Sequence, residues 1–144
     1  MVSLWVLDCS LAAASFLPDE QSGKADRFLG TLGKTAQAIV PSLWWYEFNN
    51  VLLVSRKRKR LNDSQSKEIV SIFESLPLEF DSNFSFEVLR HIQDLAYKND
   101  LSAYDASYLE LCIRKGAGLA TLDEKLGECA KKLGISLYSS KNQN

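Results

Sequence analysis

SLWVLD, residues 3 to 8, is a short apolar run that closes on an acid. A strand buried on both faces of a parallel sheet reads as a continuous apolar stretch, without the alternation of a half-exposed strand. AIVP at 38 to 41, GLAT at 118 to 121 and ISLY at 135 to 138 are three more runs of this kind. Between them, helical patterns cover 11 to 17, about 21 to 33, about 42 to 60, about 63 to 75, about 84 to 98, about 102 to 115 and 123 to 133. Strands alternating with helices predict an α/β fold, a parallel sheet covered on both faces.

A chain of 144 residues fits one domain, expected over 1–140 with 141–144 as a frayed tail. The composition, 46% hydrophobic and 24% charged, contains no long uncharged apolar run, so no membrane span is expected. The opening MVSLWVLDCSLAAASFL lacks a basic start and carries Asp8 in its middle, which argues for a strand and a first helix over a secretory leader. Cys9, Cys112 and Cys129 are odd in number and widely spaced; neither a disulfide framework nor a thiolate zinc site is suggested, and a reducing cytoplasm is the expected location. His91 is the only histidine, which removes paired-histidine zinc sites and reads as an ordinary helix residue. No phosphate-binding glycine loop, dinucleotide fingerprint or nucleophile elbow is present.

Four acids keep unusual company. Asp8 and Asp123 follow apolar strand candidates, at the carboxyl edge where open α/β sheets form their sites. Glu47 shares a helical stripe with Leu43, Val51 and Val54, with Asn50 one turn further along the same face. Asp105, in LSAYDASYLEL at 101 to 111, shares a stripe with Leu101, Leu109 and Cys112. Each acid alone has a plain explanation in turn or cap chemistry, and Asp105 stands third after Ser102 as in a weak capping box. Taken together, four carboxylates converging on one pocket would raise one another's pKa until a cation neutralised them. A donor set of oxygens without His or Cys points to Mg²⁺ or Mn²⁺, and Mg²⁺ bound by a few carboxylates points to a phosphoryl substrate.

Helix punctuation fits this frame. Ser42 after Pro41 is a candidate N-cap, Asn62-Asp63 breaks the chain after a basic run, and Gly116 is placed to end the helix that carries Asp105. The net charge of -1 is not that of a uniformly basic nucleic-acid binder. Arg56, Lys57, Arg58, Lys59 and Arg60 nonetheless gather five positive charges at the end of the Glu47 helix, where they either contact RNA backbone or form a solvated helix end. Trp44, Trp45 and Tyr46 are read first as core, with base stacking or a dimer surface as the other possibility.

VLDCS, PSLWWYEFNNVL, LSAYDASYLEL and LATLDEKL resemble, in order and spacing, the four acidic motifs of PIN-domain ribonucleases, in particular VapC toxins of type II toxin–antitoxin systems. The resemblance implies a three-layer domain with a twisted parallel sheet of order 3-2-1-4-5 flanked by helices. It implies Mg²⁺- or Mn²⁺-dependent endonucleolytic cleavage of RNA, with Asp8, Glu47, Asp105 and Asp123 as the acids of the site and Asp8 and Asp105 as the steadiest metal ligands. Ser10 and Thr121 match polar neighbours that support such sites, while Cys9 stands where Thr or another small residue is frequent. A homodimer and a VapB-type antitoxin are the implied partners. Two rival readings remain: a catalytically silent PIN-like module that binds RNA or protein, and a phosphate-accepting receiver domain. The receiver reading is weakened because Asp8 is followed by Cys and not by a second acid.

Overall fold

The computed structural model describes residues 2–17 and 22–139. The tail at 141–144 lies outside them. Among the described residues the order is β1 (Ser3–Leu7), α1 (Cys9–Ala14), α2 (Gly23–Thr31), β2 (Ala36–Val40), α3 (Ser42–Lys57), α4 (Asp63–Ser75), β3 (Leu78–Phe80), α5 (Phe86–Asn99), α6 (Ala103–Lys115), β4 (Gly118–Ala120) and α7 (Glu124–Lys132). The strands form one parallel sheet in the order β3-β2-β1-β4. No helix among them is long and apolar enough to cross a membrane.

The apolar runs lie at the centre of this sheet. Val6 and Leu7 in β1, Val40 in β2 and Leu119 in β4 are fully buried, as expected of strands covered on both faces. ISLY does not form a strand: Leu137 makes one parallel bridge to Leu119, with the Leu119 N–H donating to the Ser136 carbonyl and the Tyr138 N–H to the Leu119 carbonyl. That bridge occupies the fifth position of the implied order. β3 answers to no apolar run, because Glu79 and Phe80 are exposed and only Leu78 turns inward.

Local chemistry sets the element ends. Asn62 caps α4 with a reciprocal box to Gln65, and Gly116 closes α6 in the left-handed conformation at φ 63. Ser42 is not a cap; Pro41 holds that position in extended backbone and offers no side-chain acceptor. Gly118 opens β4 under the Trp5 ring, where an added Cβ would come within 2.4 Å of a ring carbon. Of the three consecutive aromatics, Trp44 alone packs in the core, stacked on Phe48 at 4.6 Å. Trp45 and Tyr46 are exposed, which corrects the core reading for those two, because one helical turn cannot direct three neighbours to the same side.

Candidate active site

The site begins where β1 and β4 end side by side. Leu7 pairs with Ala120, and the Asp8 N–H donates to the Ala120 carbonyl at 3.1 Å, so Asp8 and Thr121 leave the sheet together. Asp8 is the N-cap of α1 and is buried. Its Oδ1 accepts from the Leu11 N–H at 3.1 Å and the Ser10 hydroxyl at 2.6 Å, and its Oδ2 accepts from the Thr121 hydroxyl. Ser10 in turn accepts from the Leu122 N–H at 3.1 Å, and Thr121 from the Asp123 N–H at 2.9 Å. Two hydroxyls thereby tie the β1–α1 turn to the β4–α7 turn.

Asp123 caps α7 through the Leu126 N–H at 3.1 Å and is exposed. Glu47 lies in the second turn of α3, half-buried, and accepts a short hydrogen bond from the Tyr108 hydroxyl of α6. Asp105 is in the first turn of α6, where its N–H donates to Ser102 Oγ at 3.1 Å. It is half-buried at the end of its stripe, on which Leu109 and Cys112 are fully in the core and Leu101 packs against it.

The four carboxylates feel one another in a closed circuit. Burial raises the Asp8 carboxyl above its ordinary value, with Asp123 adding to the rise. Burial likewise raises Glu47, with Asp8 and Asp105 contributing, and raises Asp105, with Asp123 contributing. None of the four makes an ion pair among the described residues. This donor set is all oxygen, feels the charges of Lys24 near Asp8 and Lys125 near Asp105 but is ion-paired to neither, and fits a hard divalent cation. The acids nonetheless stand apart: among the described residues no three His, Cys, Asp or Glu side chains stand close enough to hold an ion between them. The expectation of four carboxylates sharing one tight pocket is corrected accordingly, because each acid is tethered at its own helix start or turn.

Other expected residues fall outside this circuit. Asn50 is exposed and lines a cavity with Glu47 and Ser10, and no hydrogen bond joins it to the four acids. Of the basic run only Arg56 and Lys57 continue α3, which ends at Lys57, and Lys59 turns the chain in the left-handed region at φ 59. Arg56 is spent on Asp63 at 3.2 Å, whereas the chain folds back so that Arg60 lines the cavity of Glu47, Asn50 and Ser10.

Two functional neighbours escaped the sequence reading. Tyr108 stands three residues after Asp105, a spacing that shares a helix face, so the motif held the signal. Lys24, in the first turn of α2, had none; its ammonium donates to the Thr121 carbonyl at 3.0 Å. Burial lowers its pKa, partly offset by the charge of Asp8. A further buried acid, Glu110, belongs elsewhere: Arg114 of the same helix donates to it at 2.8 Å and to Asp81 at 2.6 Å.

Comparison with known proteins agrees with this architecture. The PIN domain family model matches residues 6–132. Ribonuclease VapC3 of Pyrobaculum aerophilum is 30% identical over 129 residues, covering 85% of this chain and 92% of that protein. Among solved structures, VapBC2 of Rickettsia felis bound to a promoter DNA fragment matches with TM-score 0.66 and 16% identity over 94% of this chain and 97% of that one. Mycobacterium tuberculosis VapC20, a Sarcin-Ricin loop cleaving toxin, matches with TM-score 0.61 and 16% identity over 88% and 94%. At those identities the two structures speak for the fold, while the family model and the sequence relative speak for descent. The chain belongs to the PIN-domain family, in its VapC ribonuclease branch.

Proposed function

We propose that this protein is a Mg²⁺- or Mn²⁺-dependent endoribonuclease and the toxin of a VapBC-type pair. The observation that carries the reading is the circuit of four mutually repelling carboxylates, free of ion pairs, at the carboxyl edge of the sheet. Asp8, Glu47, Asp105 and Asp123 would hold the ion. When bound, such an ion polarises the phosphodiester and makes water a competent nucleophile at neutral pH. The chain's own groups prepare for that. Ser10 and Thr121 hold the Asp8 carboxyl at a fixed angle through its two oxygens, and Tyr108 holds Glu47 by a hydrogen bond from α6. Among the described residues no basic side chain makes an ion pair with the four acids, and Arg114 is committed to Glu110 and Asp81.

The test is cleavage of structured RNA in Mg²⁺. Asp8→Asn and Asp105→Asn should each lose at least about 100-fold in rate, the scale on which single electrostatic contributors act. Wild-type rates in both variants would overturn the reading. The open spacing of the acids favours one alternative, a PIN-like module that binds RNA or protein without cutting. RNA binding that persists while Mn²⁺ titration shows no uptake would establish that alternative instead.

Partners follow from the same reading. VapBC2 and FitAB are pairs by name, solved with DNA fragments, which supports an antitoxin for this chain. A basic antitoxin side chain has a receptor in the carboxylate ring. A homodimer is included in the proposal: Tyr46, Phe84, Phe86 and Tyr104 are exposed around an apolar groove of about 720 Å³, a surface on which a second copy could pack. Light scattering should give twice the mass of the chain, and Phe84→Ser should lower it toward the monomer.

A further inference from the structure

We propose that Lys24 and Lys131 form the phosphate-holding bank of this site, seating an RNA phosphodiester next to the one that faces the carboxylate ring. The inference rests on the ribonuclease reading above. A ring of four carboxylates repels a polyanion, so the substrate needs positive charge close by but outside the ring. Lys24 meets that need by construction. Its ammonium is anchored on the carbonyl of Thr121, the residue whose hydroxyl holds Asp8. An ammonium has three donors, of which this carbonyl takes one. Among the described residues no carboxylate lies within ion-pair distance of it.

Lys131, exposed in the last turn of α7, continues the line. It lines, together with Lys24, both of two adjoining cavities of about 590 and 790 Å³. The larger also contains Thr121 and Asp123, so a groove starts at the ring and leads past the two lysines, with Lys125, Glu124 and Glu128 on the same lining. Of the basic run, Arg56 is paired with Asp63, and Arg60 lines a different cavity, the one beside Glu47 and Ser10.

Lys24 has a simpler possible role as a strut between α2 and the β4–α7 turn, and the experiment separates the two. Lys24→Met, Lys131→Met and the double variant are compared with Lys98→Met, which removes the same charge from α5. Binding of a short fluorescein-labelled single-stranded RNA is followed by anisotropy in EDTA over a range of salt, alongside thermal melting and the KM for cleavage in Mg²⁺. Each bank variant should weaken binding several-fold and flatten the plot of log affinity against log salt by about 0.7, the increment for one phosphate contact on a single strand. KM should rise more than kcat falls, and Lys24→Arg with Lys131→Arg should restore both. A salt slope and KM in the double variant equal to those of Lys98→Met, with Lys24→Met merely melting earlier, would overturn the proposal and leave the strut. Wild-type protein that neither binds nor cleaves RNA would overturn the ribonuclease reading itself, a distinguishable result.

Discussion

Asp8 serves the fold and the site with the same two oxygens, capping α1 with one and joining β4 through Thr121 with the other. Its pH behaviour follows. Burial holds Asp8, Glu47 and Asp105 above the ordinary carboxylate range. A group whose pKa is higher folded than unfolded binds more protons when folded, so stability falls as pH rises from the ordinary value through the raised one. Asp81 has the opposite sign: hydrogen bonding from Arg114 holds it below its ordinary value, and its contribution, full above that value, is lost as pH falls through the lowered one. Melting in EDTA should therefore show stability declining as pH rises from the ordinary carboxylate range through the raised values, and Asp8→Asn should flatten that decline while lowering cleavage at least about 100-fold. Tyr108→Phe removes the donor that orients Glu47 and should cost about 1–3 kcal/mol of stability, as for a buried acceptor left unmatched, with a measurable change in the pH profile of cleavage. Ser10 and Thr121 were legible because they adjoin the acids in sequence. Lys24 was not, because its contact spans 97 residues and no local pattern records it.

At the level of elements, burial decided what could be read. β1, β2 and β4 announce themselves as apolar runs because both their faces are covered. β3 is three residues long, mostly exposed and preceded by Pro77, so its pairing with β2 leaves no periodicity to detect. ISLY misled for the converse reason: Ile135 and Tyr138 are buried by packing under α7 and Trp5, without a ladder. The helices were placed to within a few residues, since their polar and apolar stripes are long enough to average out exceptions. Two changes probe how the elements are joined. Arg114→Met would strand Glu110, which is 1% exposed, and should destabilise by about 3–5 kcal/mol, with Glu110→Gln recovering part of the loss in denaturant titration. Gly118→Ala drives a methyl into Trp5 and should cost about 1–3 kcal/mol in the same measurement.

For the molecule as a whole, occupancy of the ring should show as stability. Mn²⁺ at 100 times its Kd should add about 2.7 kcal/mol to unfolding, and Asp105→Asn should shrink that gain. The largest contribution of distance is along the chain itself. Asp8 and Thr121 are 113 positions apart yet share one hydrogen bond, and Asp123 lies just beyond. On a translating ribosome, then, the first of these acids emerges long before its partners exist. No intermediate length of the growing polypeptide carries a finished ring, and premature release anywhere ahead of α7 yields a fragment lacking one corner of it. The four acids are thus completed late in synthesis and all together.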